Sequence, residues 1–289
     1  MRSVTKVNRM AFIIAVDCST SMQEITLYNN MVMSKAHAVE IICNQLIDSL
    51  VLRATRFGDV GDYYDIGIIG YSGRGVESLI PYCDEYIVSI KQLAQYAPPF
   101  RRHVFDVRLP DGRITCMNYL IRPWIDIIPS GRTPMYEALT LIYDLVKEWC
   151  SRIENRESNA PVIYNITDGE SSDGSPLELV TLADKIIDTG TKYNRTLLAN
   201  IHLGTSDISR QRFPADCDFQ DVSRQYATLF RMSSVIPPEL ETMAAMSSTS
   251  ESIGPYRAFA YNSTIEDLLN FIHIGTDSVL SPLCYEPIA

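Results

Sequence analysis

Residues 10–21 read MAFIIAVDCSTS, an unbroken apolar run that ends in an acidic side chain followed by hydroxyl side chains. A short apolar run without polar alternation is typical of a strand that is buried on both faces of a parallel sheet. In such sheets ligands bind outside the carboxyl ends of the strands. Asp17, Ser19 and Ser21 therefore follow the strand at the place where a ligand site is expected.

Strand and helix patterns alternate along most of the remaining chain. The sequence predicts strands over residues 65–71, 76–80, 161–167, 197–203 and 257–261, and helices over 30–55, 134–150, from 175 onward and over 265–274. This alternation predicts an α/β fold: a doubly wound, mainly parallel central sheet with helices on both faces.

Two segments interrupt the alternation. In the first, the strand-like runs HVFDVRL and RITCMNY flank Pro110-Asp111-Gly112, which is turn chemistry and predicts an inserted β-hairpin. The second is irregular and partly helical, with Pro237-Pro238 inside it. We interpret residues 1–289 as one domain that carries insertions at about 84–128 and 205–250.

Charge and composition exclude several classes of protein. The 25 Lys and Arg against 35 Asp and Glu give a net charge of −10, which argues against a broad nucleic-acid-binding surface. No apolar run is long enough to predict a membrane span. Basic residues before the first strand resemble a short signal peptide, but Asp17 stands where small residues are wanted, and a buried strand explains the run equally well. The 7 cysteines are odd in number and without CxxC pairs, so we expect reduced thiols and a cytoplasmic location.

Three loops at the expected ligand edge carry oxygen side chains. They are residues 17–21 after the first strand, 130–133 before the mid-chain helix, and 168–171 after the strand at 161–167. Hydroxyl and carboxylate oxygens suit Mg²⁺, Mn²⁺ or Ca²⁺ better than zinc. Each loop also has a structural explanation, since serines form turns, Thr133 before Pro134 fits a helix N-cap, and Asp168-Gly169 is a common turn pair. The conjunction of all three favours a metal site.

The motif Asp17-x-Ser19-x-Ser21, with Thr133 and Asp168-Gly169 on later loops, resembles the metal-ion-dependent adhesion site of von Willebrand factor A domains. The resemblance covers roughly residues 10–80, 128–204 and the end of the chain. It implies that Ser19, Ser21 and Thr133 bind the metal directly, and that Asp17 and Asp168 hold it through water or at closer range. It also implies a non-enzymatic interaction module, in which an acidic side chain of a protein partner completes the metal's coordination.

The sequence departs from the family pattern at two positions. Thr20 stands where the family often has glycine, and Arg132 places a cation directly before Thr133. Within the family, cytoplasmic bacterial members similar to the tellurium-resistance-associated proteins look closest, because of the missing export signal and the stretch FRMSSVIPP at 230–238. That resemblance implies a scaffold role in bacterial stress or phospho-signalling.

The alternative is a Mg²⁺-dependent phosphotransferase or hydrolase with Asp17 as its nucleophile. Against it, Ser19 occupies the position where such an enzyme usually has a second carboxylate as general acid. No phosphate-binding GxxxxGK[ST] motif and no serine-hydrolase GxSxG motif occurs. Cys18 is a further candidate nucleophile, but a small cysteine at a strand end is more typical of a buried core residue.

Overall fold

A mainly parallel sheet with helices on both faces forms the centre of the fold, which confirms the predicted α/β class. The computed structural model describes residues 8–28, 30–81, 85–108, 112–204, 210–219, 223–265 and 268. The strands are β1 (Met10–Asp17), β2 (Ile25–Tyr28), β3 (Met31–Ser34), β4 (Thr55–Arg56), β5 (Asp59–Val60), β6 (Tyr64–Ser72), β7 (Gly75–Ser78), β8 (Val88–Ser89), β9 (Arg101–Arg108), β10 (Ile114–Ile121), β11 (Val162–Thr167), β12 (Leu197–Leu203), β13 (Gln211–Arg212) and β14 (Phe259–Ser263). The helices are α1 (Lys35–Ala54), α2 (Ile90–Gln95), α3 (Met135–Ser151), α4 (Pro176–Asp188), α5 (Arg224–Met232) and α6 (Pro238–Ser247).

The central sheet has the strand order β13-β14-β12-β11-β1-β6-β7, and β8 also pairs with β6. Strands β6, β1, β11, β12 and β14 run parallel, whereas β7, β8 and β13 are antiparallel to their neighbours. Because Val16 pairs with Ile166, β1 and β11 end level with each other. The register therefore brings the segments after Asp17 and after Thr167 to the same edge of the sheet.

Alternate residues of β1 pack into two separate cores, one on each face of the sheet. Phe12 and Ile14 belong to the core that contains α1, while Ile13 belongs to the core that contains α3. Helices α1, α2 and α6 bury side chains in the first core, and α3, α4 and α5 in the second. A strand covered on both faces favours apolar residues throughout its length, which explains the unbroken run at 10–16.

The predicted helix over 30–55 is wrong at its beginning. Residues Met31–Ser34 form β3, which pairs with β2 in a hairpin, and the helix begins at Lys35. The Ser34 side chain accepts a hydrogen bond from the His37 backbone N–H and so caps the helix. The apolar spacing before Ser34 fits a helix as well as a strand, and pairing with neighbouring strands decides for the strand.

The predicted β-hairpin is confirmed as β9 and β10, although its turn residues 109–111 lie outside the described residues. Its strand β9 also pairs with β3, so the hairpin completes a second, antiparallel sheet with the order β10-β9-β3-β2. This four-stranded sheet was not predicted as a unit, because β2 and β3 were not recognised.

The remaining predicted elements are close to the structure. Ser175 and Glu178 form the predicted capping box at the start of α4. The last predicted strand lies two residues later, at Phe259–Ser263. The predicted closing helix over 265–274 falls outside the described residues apart from Ile265 and Leu268. Within the described part of the chain, no helix is long and apolar enough to cross a membrane.

Glu40 on α1 ties the chain after the hairpin back to the core. Its Oε2 accepts a hydrogen bond of 2.9 Å from the Ile127 backbone N–H. Burial raises the pKa of Glu40 from 4.5 to about 7, with a further contribution from the neighbouring carboxylate of Asp126. The folded protein therefore binds this proton more tightly than the unfolded chain does.

We expect this proton to make stability depend on pH. Because the folded-state pKa of Glu40 is raised, its favourable contribution is present below about pH 4.5 and is lost as the pH rises through about 7. Glu40→Gln should flatten this decline, so that its melting temperature relative to the wild type is higher at about pH 8 than at about pH 5 by a few degrees. The exposed Glu241→Gln serves as the control, and an identical pH profile for both variants would show that Glu40 does not titrate as described.

Candidate metal centre

Backbone hydrogen bonds hold the three oxygen-bearing loops together at the carboxyl ends of β1 and β11. The Ser130 N–H donates to the Cys18 carbonyl at 2.8 Å, and the Ser172 N–H donates to the Thr133 carbonyl at 2.9 Å. These bonds do not depend on any side chain or ligand. The loops are therefore juxtaposed by the fold itself.

Asp17 is fully buried at the end of β1. Its Oδ1 accepts the Ser19 backbone N–H at 2.8 Å, and its Oδ2 accepts the Thr167 hydroxyl at 2.7 Å. Burial raises the pKa of Asp17, although these hydrogen bonds oppose the shift. Thr167 was not among the predicted site residues, yet it fixes the orientation of the Asp17 carboxylate.

A chain of hydrogen bonds links the hydroxyls of the first loop to the acid of the third. Ser19 Oγ and Ser21 Oγ lie 2.9 Å apart, and Ser21 Oγ donates to Asp168 Oδ1 at 2.6 Å. A methyl group on Gly169 would lie 3.7 Å from Thr133 Oγ1 and 3.9 Å from Ser21 Oγ. The structure thus brings the side chains of all three loops to one place.

Thr133 does not cap the following helix. The N-cap of α3 is Pro134, whose side chain makes no capping hydrogen bond. Instead the Asp173 carboxylate accepts the backbone N–H groups of Tyr136 and Glu137 at 3.0 and 2.9 Å. The hydroxyl of Thr133 is therefore not committed to the helix cap that the sequence alone suggested.

A buried lysine ammonium lies against this cluster. Lys35 Nζ donates to Asp168 Oδ2 at 3.0 Å and to Glu24 Oε2 at 2.7 Å, and its side chain is only 6% exposed. Burial alone would lower the pKa of Lys35, but the hydrogen bonds and charges of Glu24 and Asp168 outweigh it, so that the pKa is raised. The ammonium is the counter-charge of the Asp168 carboxylate.

The sequence reasoning missed Lys35 because it placed this residue inside a longer helix. A helix that begins after Ser34 puts a lysine in its first residue, where the helix dipole disfavours a cation. A lysine at that position is a signal that a nearby acid compensates it.

Other residues near the site take simpler roles. Cys18 is 3% exposed, and burial raises the pKa of its thiol to about 12, so it is a neutral core residue as predicted. Arg132 is exposed, and the described residues contain no ion pair for it.

A cavity of about 90 Å³ opens beside Gly169 and Glu170, with Leu179, Arg224 and Gln225 also in its wall.

The donor set fits a hard divalent cation. Hydroxyl oxygens predominate, and Asp17 and Asp168 are the only carboxylates among the five predicted ligands. Across the described part of the chain, no three His, Cys, Asp or Glu side chains cluster so as to hold a metal ion. A metal at this site would therefore depend on serine and threonine oxygens, with the Lys35 ammonium as a competitor for Asp168.

Two solved structures are similar to this chain at low sequence identity. No family model matches the chain, and no curated protein matches it. The manganese-loaded TRAP protein of Plasmodium vivax is similar with a TM-score of 0.43 and 14% identity, over 92% of this chain and 72% of that chain. An uncharacterized membrane-spanning protein from Vibrio fischeri is similar with a TM-score of 0.29 and 16% identity, over 95% and 100%. Similarity this low does not carry an argument about function.

The loop geometry predicts an unusual sensitivity at Gly131. Its φ of +64° favours glycine, and a methyl group there would lie 2.6 Å from the Gly73 Cα. Gly131→Ala should lower the free energy of unfolding by about 2 kcal/mol, because the backbone of one loop must move. Gly58, with φ +87° and nothing within 4 Å, provides the matched control.

Chemical denaturation of the two variants measures the difference. Gly58→Ala carries only the cost of its backbone conformation, about 1 kcal/mol. Equal losses in the two variants would contradict the close approach of the loops.

Proposed function

We propose that the three loops bind one divalent cation, Mg²⁺ or in its place Mn²⁺ or Ca²⁺, and that the bound cation receives an acidic side chain of a protein partner. The direct ligands are the hydroxyls of Ser19, Ser21 and Thr133, with Asp17 and Asp168 completing the protein's share. The observation that supports this most strongly is the hydrogen-bonded chain from Ser19 through Ser21 to Asp168. In this chain, hydroxyl and carboxylate oxygens from two loops are joined by hydrogen bonds of 2.6 and 2.9 Å.

The charge at the site favours an acidic partner. Hydroxyl ligands are neutral, so they leave most of the positive charge of a divalent cation unbalanced. Asp168 shares its charge with Lys35, and both Asp17 oxygens already accept hydrogen bonds within the protein. A carboxylate from outside then gains a strong attraction in a partly dry site. When bound, the cation supplies this electrostatic attraction; the protein residues hold and orient it.

Lys35 acts as a tethered cation in this proposal. Without metal, its ammonium balances the Asp168 carboxylate, whose side chain is only 1% exposed. A divalent cation that binds Asp168 competes with that ion pair. Lys35 therefore lowers the metal affinity of the site while stabilising the metal-free protein, because an unpaired buried carboxylate is costly.

This function is the one implied by the resemblance to the adhesion site of von Willebrand factor A domains. We further propose that residues 1–289 form one such domain with insertions at about 84–128 and 205–250. The narrower resemblance to cytoplasmic bacterial members, and with it a scaffold role in stress or phospho-signalling, stays a prediction.

The alternative enzyme reading has less support. A nucleophilic Asp17 needs an oxygen that is free to attack phosphorus, but its side chain is buried and both oxygens accept hydrogen bonds. Turnover of p-nitrophenyl phosphate with Mg²⁺ tests this reading. Robust hydrolysis that Asp17→Asn abolishes would replace the proposed interaction module with a phosphotransferase.

Divalent cations should stabilise the protein through linkage. At about 100 times the dissociation constant, Mg²⁺ or Mn²⁺ adds about 2.7 kcal/mol to the free energy of unfolding, which raises the melting temperature by several degrees. Ser21→Ala should remove most of this rise, because it deletes a direct ligand. Ser21 is exposed, so the variant keeps the fold.

The control is Thr20→Ala, which removes an exposed hydroxyl from the same loop without touching a proposed ligand. Thermal scans with EDTA and with each cation compare the three proteins. If divalent cations leave the melting temperature of the wild type unchanged, the metal site is disproved.

Lys35→Met should separate the two roles of the lysine. In EDTA the variant melts below the wild type, since Asp168 has lost its counter-charge. With Mg²⁺ its melting temperature should rise by more than that of the wild type, because the metal no longer competes with an ammonium. The exposed Lys91→Met should behave like the wild type in both conditions. A smaller Mg²⁺-induced rise in Lys35→Met would mean that the lysine supports the metal instead of competing with it.

A further inference from the structure

Among the described residues, the four-stranded sheet has one exposed face. On β9, Phe105 and Val107 point into the core, so Val104 points the other way. Residues that lie directly opposite each other in an antiparallel pair share a face. Ile114 and Leu120 of β10 therefore lie on the same side as Val104, because they pair with alternate residues of β9 on that side. Met31 lies opposite Val107 on the core side, so Val32 and its β2 partner Leu27 lie on the other side. We call this side the outer face; its large apolar side chains and their exposed fractions are Val104 (62%), Ile114 (61%), Leu120 (69%), Leu27 (46%) and Ile25 (64%).

Arginines flank these apolar side chains. Arg102 lies opposite Leu120 and Arg108 lies opposite Ile114, both on the outer face. Both arginines are exposed, and neither forms an ion pair with another described residue. Asp106, the acid between them, accepts a hydrogen bond from the Cys116 thiol.

The charge of this hairpin is opposite to that of the remaining chain. Residues 101–121 contain 4 Arg and 2 Asp, which gives +2, whereas the net charge of −10 leaves −12 for all other residues. A positive, apolar surface attracts an acidic apolar ligand.

Within the described part of the chain, strand β10 is an edge without the usual protection. It stands at the end of the strand order, and its sequence ITCMNYLI contains no charged residue, no proline and no glycine. Natural edge strands normally carry charges or proline, because their free N–H and C=O groups otherwise pair with other chains. An unprotected eight-residue edge is suited to accept one more strand.

We propose that the outer face and the β10 edge dock an extended segment of a protein partner in which acidic and apolar residues alternate. Its backbone pairs with β10, its apolar side chains cover those of the outer face, and its acids lie near Arg102 and Arg108. This docking does not require the metal centre.

The same observations disfavour the other occupants. A membrane surface would leave the backbone groups of the β10 edge without partners. A second copy of the chain that paired through its own β10 would supply no acid from that strand, because its sequence contains none. An acidic strand both pairs with the free backbone groups of β10 and balances the charges of the arginines.

Peptide selection in EDTA tests the proposal separately from the metal site. A phage-displayed library of random peptides is panned on the wild-type protein, and the enriched peptides are synthesised and titrated by fluorescence polarisation. We expect peptides of negative net charge with alternating apolar residues. Arg102→Glu/Arg108→Glu and Leu120→Lys should each weaken their binding about tenfold or more.

The matched controls reverse charge or remove an exposed leucine elsewhere. They are Lys147→Glu/Lys185→Glu and Leu177→Lys, all at exposed positions of α3 and α4, and they should bind like the wild type. The proposal is overturned if no peptide is enriched, or if the arginine variants bind unchanged. It is equally overturned by a dimer that Leu120→Lys dissociates in light scattering, or by arginine-dependent binding to phosphatidylserine vesicles without peptide binding.

Discussion

The parallel pairing of β1 with β11 is the constraint from which the site follows. Since Val16 lies opposite Ile166, both strands end at the same level. The segments that follow Asp17 and Thr167 therefore turn side by side at one edge of the sheet. The turns are then joined by backbone hydrogen bonds through the loop before α3. Polar side chains that are far apart in sequence, such as Ser21 and Asp168, consequently share a hydrogen bond. The site is a product of strand register before it is a product of any ligand.

The parts of the fold that were predictable are those in which burial alone dictates the residue type. Strands β1, β11 and β12 are covered on both faces, so they are mainly apolar, although β11 and β12 also contain the buried Asn165 and Asn200. The β2–β3 hairpin was missed because the residues before Ser34 satisfy helical spacing too, and only their pairing with β9 selects the strand. Local pattern cannot reveal a partner strand that lies some seventy residues away in sequence, as β9 does.

The candidate site divides in the same way. The oxygen-bearing residues could be found because each follows a predicted strand or precedes a predicted helix. Thr167 and Lys35 could not, since they act on the site through contacts that only the folded chain defines. Lys35 also changes how the acidic charge of the protein is understood. The two acids nearest the ammonium, Glu24 and Asp168, are partly neutralised by it. The negative net charge of the protein therefore does not by itself give the site a high affinity for cations.

In the proposed function, a carboxylate of a protein partner completes the coordination of a metal that the three loops hold. The claim on which this depends is that the loops form one cation site. Anomalous diffraction from crystals grown with Mn²⁺ tests it most directly. The account predicts one strong peak among the oxygens of Ser19, Ser21 and Thr133, with the Lys35–Asp168 ion pair loosened. A loop cluster without a peak, and with that ion pair unchanged, would contradict it.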